Sequence, residues 1–235
     1  MEKIVHKSES RGTANFGWLK SRHTFSFGQY FNPERTHFGK LRVLNDDVVA
    51  GGAGFPRHPH DNMEIISIPL KGALAHKDST GTEEIIKEGE VQIMSAGSGL
   101  THSEYNANKD NEVNFLQIWV FPKEKDITPR YDQKLFAKEH RENKLQTVVA
   151  PDDPSALWIN QDSWFSLSDL KQDQAMHYDL RRKGNGLYLF VKEGSVEVND
   201  EVLNRRDAIG LWNLDSAEIK AVKDSELLLM DVPMN

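Results

Sequence analysis

Residues 63–99 read MEIISIPLKG, ALAHKDSTG, T, EEIIKEGE and VQIMSAGSG in succession, and their pattern decides the fold. Each segment is a short run rich in Ile, Val or Leu, closed by Gly, Asp or Ser. Runs this short do not make amphipathic helices, whereas turn signals recurring about every 8–12 residues mark an all-β sandwich or barrel. Downstream, VNFLQIWVF (113–121) is almost continuously apolar, the pattern of a central strand buried on both faces. Upstream, residues 1–50 are rich in aromatics and glycine and read as short strands with tight turns. Strand-like runs return at LYLFVKEGSVEVNDEV (187–202), DAIGLWNL, AEIKAV and ELLLMDVP, and Asn199-Asp200 is placed for a hairpin turn. EGSVEV repeats the glycine-then-strand pattern of KGALAH, which suggests a second β domain built like the first. The expected division is a first domain over 1–121, a polar, proline-bearing connector over 122–155 with at most a short helix near 134–141, and a second domain over 156–235.

Composition narrows the chemistry. The 235-residue chain contains no cysteine, which excludes disulfides, thiolate ligands, iron–sulfur clusters and cysteine nucleophiles. A net charge of −7 argues against a phosphate-tracking nucleic-acid surface. KEHRENK (138–144) mixes both signs and reads as a solvated face. No apolar run approaches the roughly 20 residues of a membrane span. The N-terminus lacks an apolar signal core, so a cytoplasmic location is expected.

Two segments carry candidate chemistry, GAGFPRHPHDNMEI (52–65) and SAGSGLTHSEYN (95–106). His58 and His60 lie two apart, so in a strand both project from one face, about 6.6 Å apart along it. His102 and Glu104 repeat that spacing. If the two strands are close in one barrel, three imidazoles and a carboxylate face one point and can cage a first-row divalent metal. His6, His23, His37 and His140 read as ordinary core or surface residues. His177, in AMHYDL, is expected to pack.

These segments resemble the two cupin motifs. More narrowly, RHTFSFGQYFNP, FGKLRVLNDD, HPHDNMEI, SAGSGLTHSEYN and ITPRYDQ resemble the pirin family, bicupins with quercetinase activity in several members. The resemblance implies two cupin-like barrel or jelly-roll domains with one metal site, in the first. It also selects the carboxylate: most cupins use the glutamate of the first motif, here Glu64, whereas pirin-like proteins use the one in HSE, here Glu104. Glu64 becomes a candidate for orienting a ligand imidazole.

Four protein donors leave up to two positions open on an octahedral ion, a catalytic layout. The resemblance makes Fe(II) the first choice, with Zn, Mn, Co, Ni or Cu as alternatives. It implies a dioxygenase of quercetin 2,3-dioxygenase type, which cleaves a flavonol with O2 and releases carbon monoxide, with Glu104 also acting as the base. Phe16, Trp18, Phe25, Phe27 and Tyr30 are candidates to wall a flat apolar pocket. Pirin-like proteins also include regulators, so a metal-dependent partner-binding role without catalysis is the alternative. A metal-free cupin isomerase is the third reading, and the complete ligand set argues against it.

Overall fold

The computed structural model describes residues 1–235 and contains twenty strands, two 3-10 turns and no α-helix. The chain begins with β1 (Glu2–His6), β2 (Gly12–Asn15), β3 (Leu19–His23), β4 (Leu41–Val49), β5 (Gly54–His60) and β6 (Glu64–Lys71). Then come β7 (Ala73–Asp78), β8 (Glu83–Lys87), β9 (Glu90–Ser95), β10 (Leu100–Asn106), β11 (Val113–Val120), β12 (Arg130–Leu135) and β13 (Gln146–Ala150). The last seven are β14 (Leu157–Trp158), β15 (Trp164–Leu170), β16 (Ala175–Asp179), β17 (Asn185–Val198), β18 (Glu201–Asn204), β19 (Ala208–Trp212) and β20 (Ser216–Pro233). No helix is long and apolar enough to cross a membrane.

A seven-stranded sheet, β12-β9-β6-β11-β4-β3-β2, and a four-stranded sheet, β5-β10-β7-β8, form the first barrel. VNFLQIWV is its central strand β11, as its apolar run predicts. A nine-stranded sheet forms the second barrel around the long pair β17 and β20, with 14 and 18 residues. The hairpin at Asn199-Asp200 is present: both residues have positive φ, 44° and 69°, and connect β17 to β18. This is the backbone of a type I′ turn, whose twist matches the flanking strands.

The period-two alternation of the larger sheet of the first barrel divides it into two faces with different tasks. On β6 and β11, Ile66, Ile68, Leu116, Ile118 and Val120 join Phe165, Leu167, Tyr188, Phe190, Leu228 and Met230 of the second barrel in one core of 24 buried residues. Each such fully buried Leu, Ile or Phe contributes roughly 1.5–3 kcal/mol, so this face cements the barrels together. The opposite positions, Ser67, Gln117, Asn45 and Asp47, are buried and polar and turn into the first barrel. The second barrel is filled instead by Leu187, Leu189, Val191, Ile209, Leu227 and Leu229, and both side-chain clusters able to hold a metal lie in the first barrel.

Three features differ from the expectations. The 122–155 segment is not free of regular structure: β12 extends the first barrel's large sheet by pairing with β9, and β13 joins the second sheet. A 3-10 turn at Lys138–His140 stays within the expected limit of at most a short helix; β12 is a half-exposed edge strand, so its apolar alternation is weak. β1 leaves its sequence neighbours and pairs with β19 in the second sheet. His177 does not pack: it is exposed, held between Glu218 and Asp179.

Candidate metal centre

Three neighbouring strands of the small sheet each turn an i, i+2 pair into the first barrel. These pairs are His58/His60 on β5, His102/Glu104 on β10 and His76/Asp78 on β7. In register, His102 lies opposite His58 on one side and Asp78 on the other, and Glu104 lies opposite His76. Pro56 and Pro59 are tolerated in β5 because it is the sheet's edge strand and needs no N–H donor on its free side. A bulge in β5 between His58 and Phe55 breaks the pairing with β10. Gly54 is required here because a Cβ at that position would sit 2.4 Å from the Glu104 carbonyl oxygen.

The hydrogen bonds assign the ring tautomers. His58 Nδ1 donates to the Pro56 carbonyl at 2.8 Å, which leaves its Nε2 unprotonated. His76 Nε2 lies 3.1 Å from Asp78 Oδ2 and donates to it; His76 Nδ1 therefore accepts from His102 Nδ1 at 3.4 Å, and His102 Nε2 is unprotonated as well. These two bare Nε2 atoms are 3.0 Å apart, and His60 Nε2 is buried with no partner. Lone pairs facing each other at that distance repel unless an electrophile lies between them. Two imidazoles at right angles on one ion, each bonded at about 2.1 Å, would sit about 3.0 Å apart. The ligand atoms of His58, His60 and His102 all lie within 4.8 Å of one another. The donor set fits a divalent transition metal.

Electrostatics agree with neutral imidazoles. Burial, reinforced by the neighbouring histidines, depresses His102 to about 2; burial and His58 depress His60 to about 4. Burial also raises Asp78, but hydrogen bonds from Thr80, His76 and Thr82 outweigh it and hold Asp78 below the usual carboxylate range. Glu104 is pushed up to about 7 by burial and by Asp47, against hydrogen bonds from Ser67 and Gln117. Its Oε2 accepts from Gln117 Nε2 at 2.9 Å and its Oε1 from Ser67 Oγ at 3.3 Å. Glu104 clusters within 4.8 Å with His76 and His102, and the tight cluster of three imidazoles does not include it.

Glu64 takes a different place. It shares the face of β6 that bears Ile66 and Ile68, so it points toward the second barrel. Its Oε2 accepts from Ser95 Oγ at 2.8 Å and from the Asn160 backbone at 3.1 Å, and it touches no imidazole. His76, Asp78, Ser67 and Gln117 were not singled out in the sequence. HKD has the same i, i+2 spacing as HPH and HSE, and that was the available signal.

A cavity of about 780 Å³ is lined by Phe16, Trp18, Phe27, Tyr30 and Phe55 with Ser21, His23, Asn45 and Asp47; no histidine of the cluster lines it, and Phe55 and Trp119 link the two. Phe55 lies opposite Glu104. Phe27 packs edge-on against Trp119, which packs against His60. Of the five aromatics expected at a pocket, four line this cavity, whereas Phe25 is 1% exposed in the core between the barrels. Asp47 is buried, bonded by Ser21 Oγ, and pushed up to about 7 by burial.

Comparisons with known proteins agree with this architecture. Residues 5–120 match the Pirin family model and residues 147–232 match the quercetinase C-terminal cupin domain. A quercetin 2,3-dioxygenase of Escherichia coli K12 is 40% identical over 231 residues, covering 97% of this chain and 98% of that protein. A pirin-like protein of Caulobacter vibrioides is 40% identical, covering 94% and 95%. The crystal structure of the bacterial pirin YhhW of E. coli in complex with nickel(II) superposes with a TM-score of 0.94 at 39% identity, over 99% of both chains.

Proposed function

Because the chain belongs to the pirin family of bicupins, and because an imidazole cluster is linked to an aromatic-walled cavity, we propose that it is a metal-dependent dioxygenase of quercetin 2,3-dioxygenase type. The observation that carries this reading is the convergence of His58, His60 and His102, with two Nε2 atoms 3.0 Å apart and a buried third without a partner, linked through Trp119 and Phe55 to that cavity. In this reading His58, His60, His102 and Glu104 hold one divalent metal. Fe(II) is our first choice, and the E. coli relative's nickel complex keeps Ni within range. Such an ion supplies Lewis acidity toward a bound enol and redox chemistry toward dioxygen.

The substrate is a flat flavonol. Phe16, Trp18, Phe27 and Phe55 sandwich and orient its rings and exclude water, which supplies proximity and orientation. Glu104 takes the proton of the 3-hydroxyl, and Ser67 and Gln117 steady the carboxylate while it does so. Asp47 and Ser21 meet a ring hydroxyl at the polar end of the cavity. Dioxygen is incorporated into the cleaved ring and carbon monoxide leaves. The test is carbon monoxide release from quercetin by protein loaded in turn with Fe(II), Ni, Mn, Co, Cu and Zn. Absence of turnover with every metal, under conditions where a known quercetinase works, refutes the proposal.

A further inference from the structure

A second concavity, of about 350 Å³, lies between the two barrels and far in character from the aromatic cavity. That volume is at the small end of the range for ligand sites, and domain interfaces are a preferred place for them. Six cationic side chains reach it: Lys71 from the first barrel, Lys138 and Arg141 from the intervening segment, and Lys192, Arg205 and Arg206 from the second. Four carboxylates, Glu88, Glu90, Glu193 and Glu226, oppose them. Two of these are each shared by two cations. Glu226 pairs with Lys192 at 3.0 Å and with Lys138 at 3.1 Å; Glu193 pairs with Arg205 at 2.7 Å and Arg206 at 3.3 Å. Lys71 has no ion-pair partner among the salt bridges. Arg141 pairs with Asp169 at 2.9 Å and Arg206 faces Asp46 at 3.5 Å, so Lys71 is the cation of the six left without a carboxylate.

Arg206 is a buried cation with unbonded donors: its Nη2 donates to Glu193 at 3.3 Å and to Asn114 at 3.4 Å, and the rest of the guanidinium is unbonded. It is 6% exposed, yet its Nη1 has no hydrogen-bond partner, and its Nε lies 3.5 Å from Asp46 without hydrogen-bond geometry. Buried guanidinium donors are ordinarily bonded, because desolvation without a partner is costly. Its backbone is in the left-handed region, φ 67°, in the turn closed by the Asp207 N–H donating to the Asn204 carbonyl at 2.9 Å. Glycine or asparagine normally fills such a position. An arginine held there against backbone preference, with a free buried donor, has the character of a functional constraint.

We propose that this cleft binds a small oxyanion, a carboxylate or phosphate group carried on a compact molecule, through Arg206, Lys71 and the surrounding cations. The planar paired donors of a guanidinium match either group. The bound anion bridges the barrels and leaves the imidazole cluster untouched.

The test is calorimetric titration of the full-length protein with inorganic phosphate and, separately, with succinate, at constant ionic strength set by sodium chloride. One saturable site is expected, weakened at least tenfold in Arg206→Gly and in Lys71→Gln, and unchanged in His58→Ala. Lys71 is exposed, so Lys71→Gln keeps the fold; glycine suits the φ of position 206, and a melting curve checks that Arg206→Gly, which leaves Asp46 without this partner, is folded. Saturation by phosphate alone assigns a phosphate ligand, and by succinate alone a carboxylate. No saturable binding of either anion overturns the proposal. So does an affinity that ignores both cleft substitutions, or one that disappears in His58→Ala.

Discussion

Asp78→Asn should cripple metal binding without touching a ligand. Asp78 Oδ1 accepts from the Thr80 N–H at 2.8 Å, the Thr80 hydroxyl at 2.6 Å and the Thr82 N–H at 3.2 Å. An asparagine oxygen can keep all three, which turns its NH2 toward His76 Nε2. That nitrogen must then accept, so the His76 proton moves to Nδ1. His102 Nδ1, 3.4 Å away, must then accept as well, which puts the His102 proton on Nε2, the atom that faces His58 at 3.0 Å. One substitution two groups away thereby blocks a ligand lone pair. Disturbing a hydrogen-bonded support of a metal-binding histidine typically costs 10–100-fold in affinity, about 1.4–2.8 kcal/mol. The tautomer switch places Asp78→Asn toward the upper end of that range. The assay is competition for Ni(II) or Fe(II) against a chromogenic chelator, with thermal melting as a check that the Asp78–Thr82 turn survives. Asp78→Asn added to a His76→Phe background should cost little further, since the relay is already cut. Affinity within about twofold of wild type in Asp78→Asn would refute the relay.

Three other outcomes are expected. Glu104→Gln should retain part of the metal affinity but lose roughly 10²-fold or more in carbon monoxide release, the usual worth of a positioned base; full turnover would show that Glu104 moves no proton. Asp47→Asn should raise the melting temperature at pH 8. The Asp47 folded-state pKa of about 7 lies above its unfolded value, so its protonated form favours folding at low pH. That contribution falls as pH rises from about 4 to 7 and is gone above it, a loss on the order of a few kcal/mol. Melting curves of the two proteins should therefore converge near pH 4, and a constant offset at all pH values would contradict this. Asp200→Gly should stabilise the β17–β18 hairpin by about 1 kcal/mol in denaturant melts, because residue 200 has a φ of 69° that an L side chain resists.

Strand period and turn chemistry are local, and they were legible. HPH and HSE each place two donors on one face because successive side chains alternate, and they share that face with no tertiary information. VNFLQIWVF declared a central strand, and Asn199-Asp200 declared its hairpin. The aromatic stretch was only partly legible: Phe25 and Phe27 are two apart, yet they end in the core and at the cavity because the chain there is turn rather than regular strand.

The rest depended on which strands became neighbours and which face of each looked inward, and neither is encoded in a local period. HKD has the same spacing as the two recognised pairs, but only the pairing of β7 with β10 brings His76 and Asp78 behind His102. Glu64 looked suited to support a ligand until its side of β6 was fixed by burial of Ile66 and Ile68 against the second barrel, which turned it away. The sequence by itself thus determined the β class and placed His58, His60 and His102 where their side chains could share one face of a barrel. Tertiary structure decided the tautomers, the carboxylates that support or face the imidazoles, the cavity linked to them and the charged cleft between barrels, because each of these arises from contacts between segments far apart in the chain.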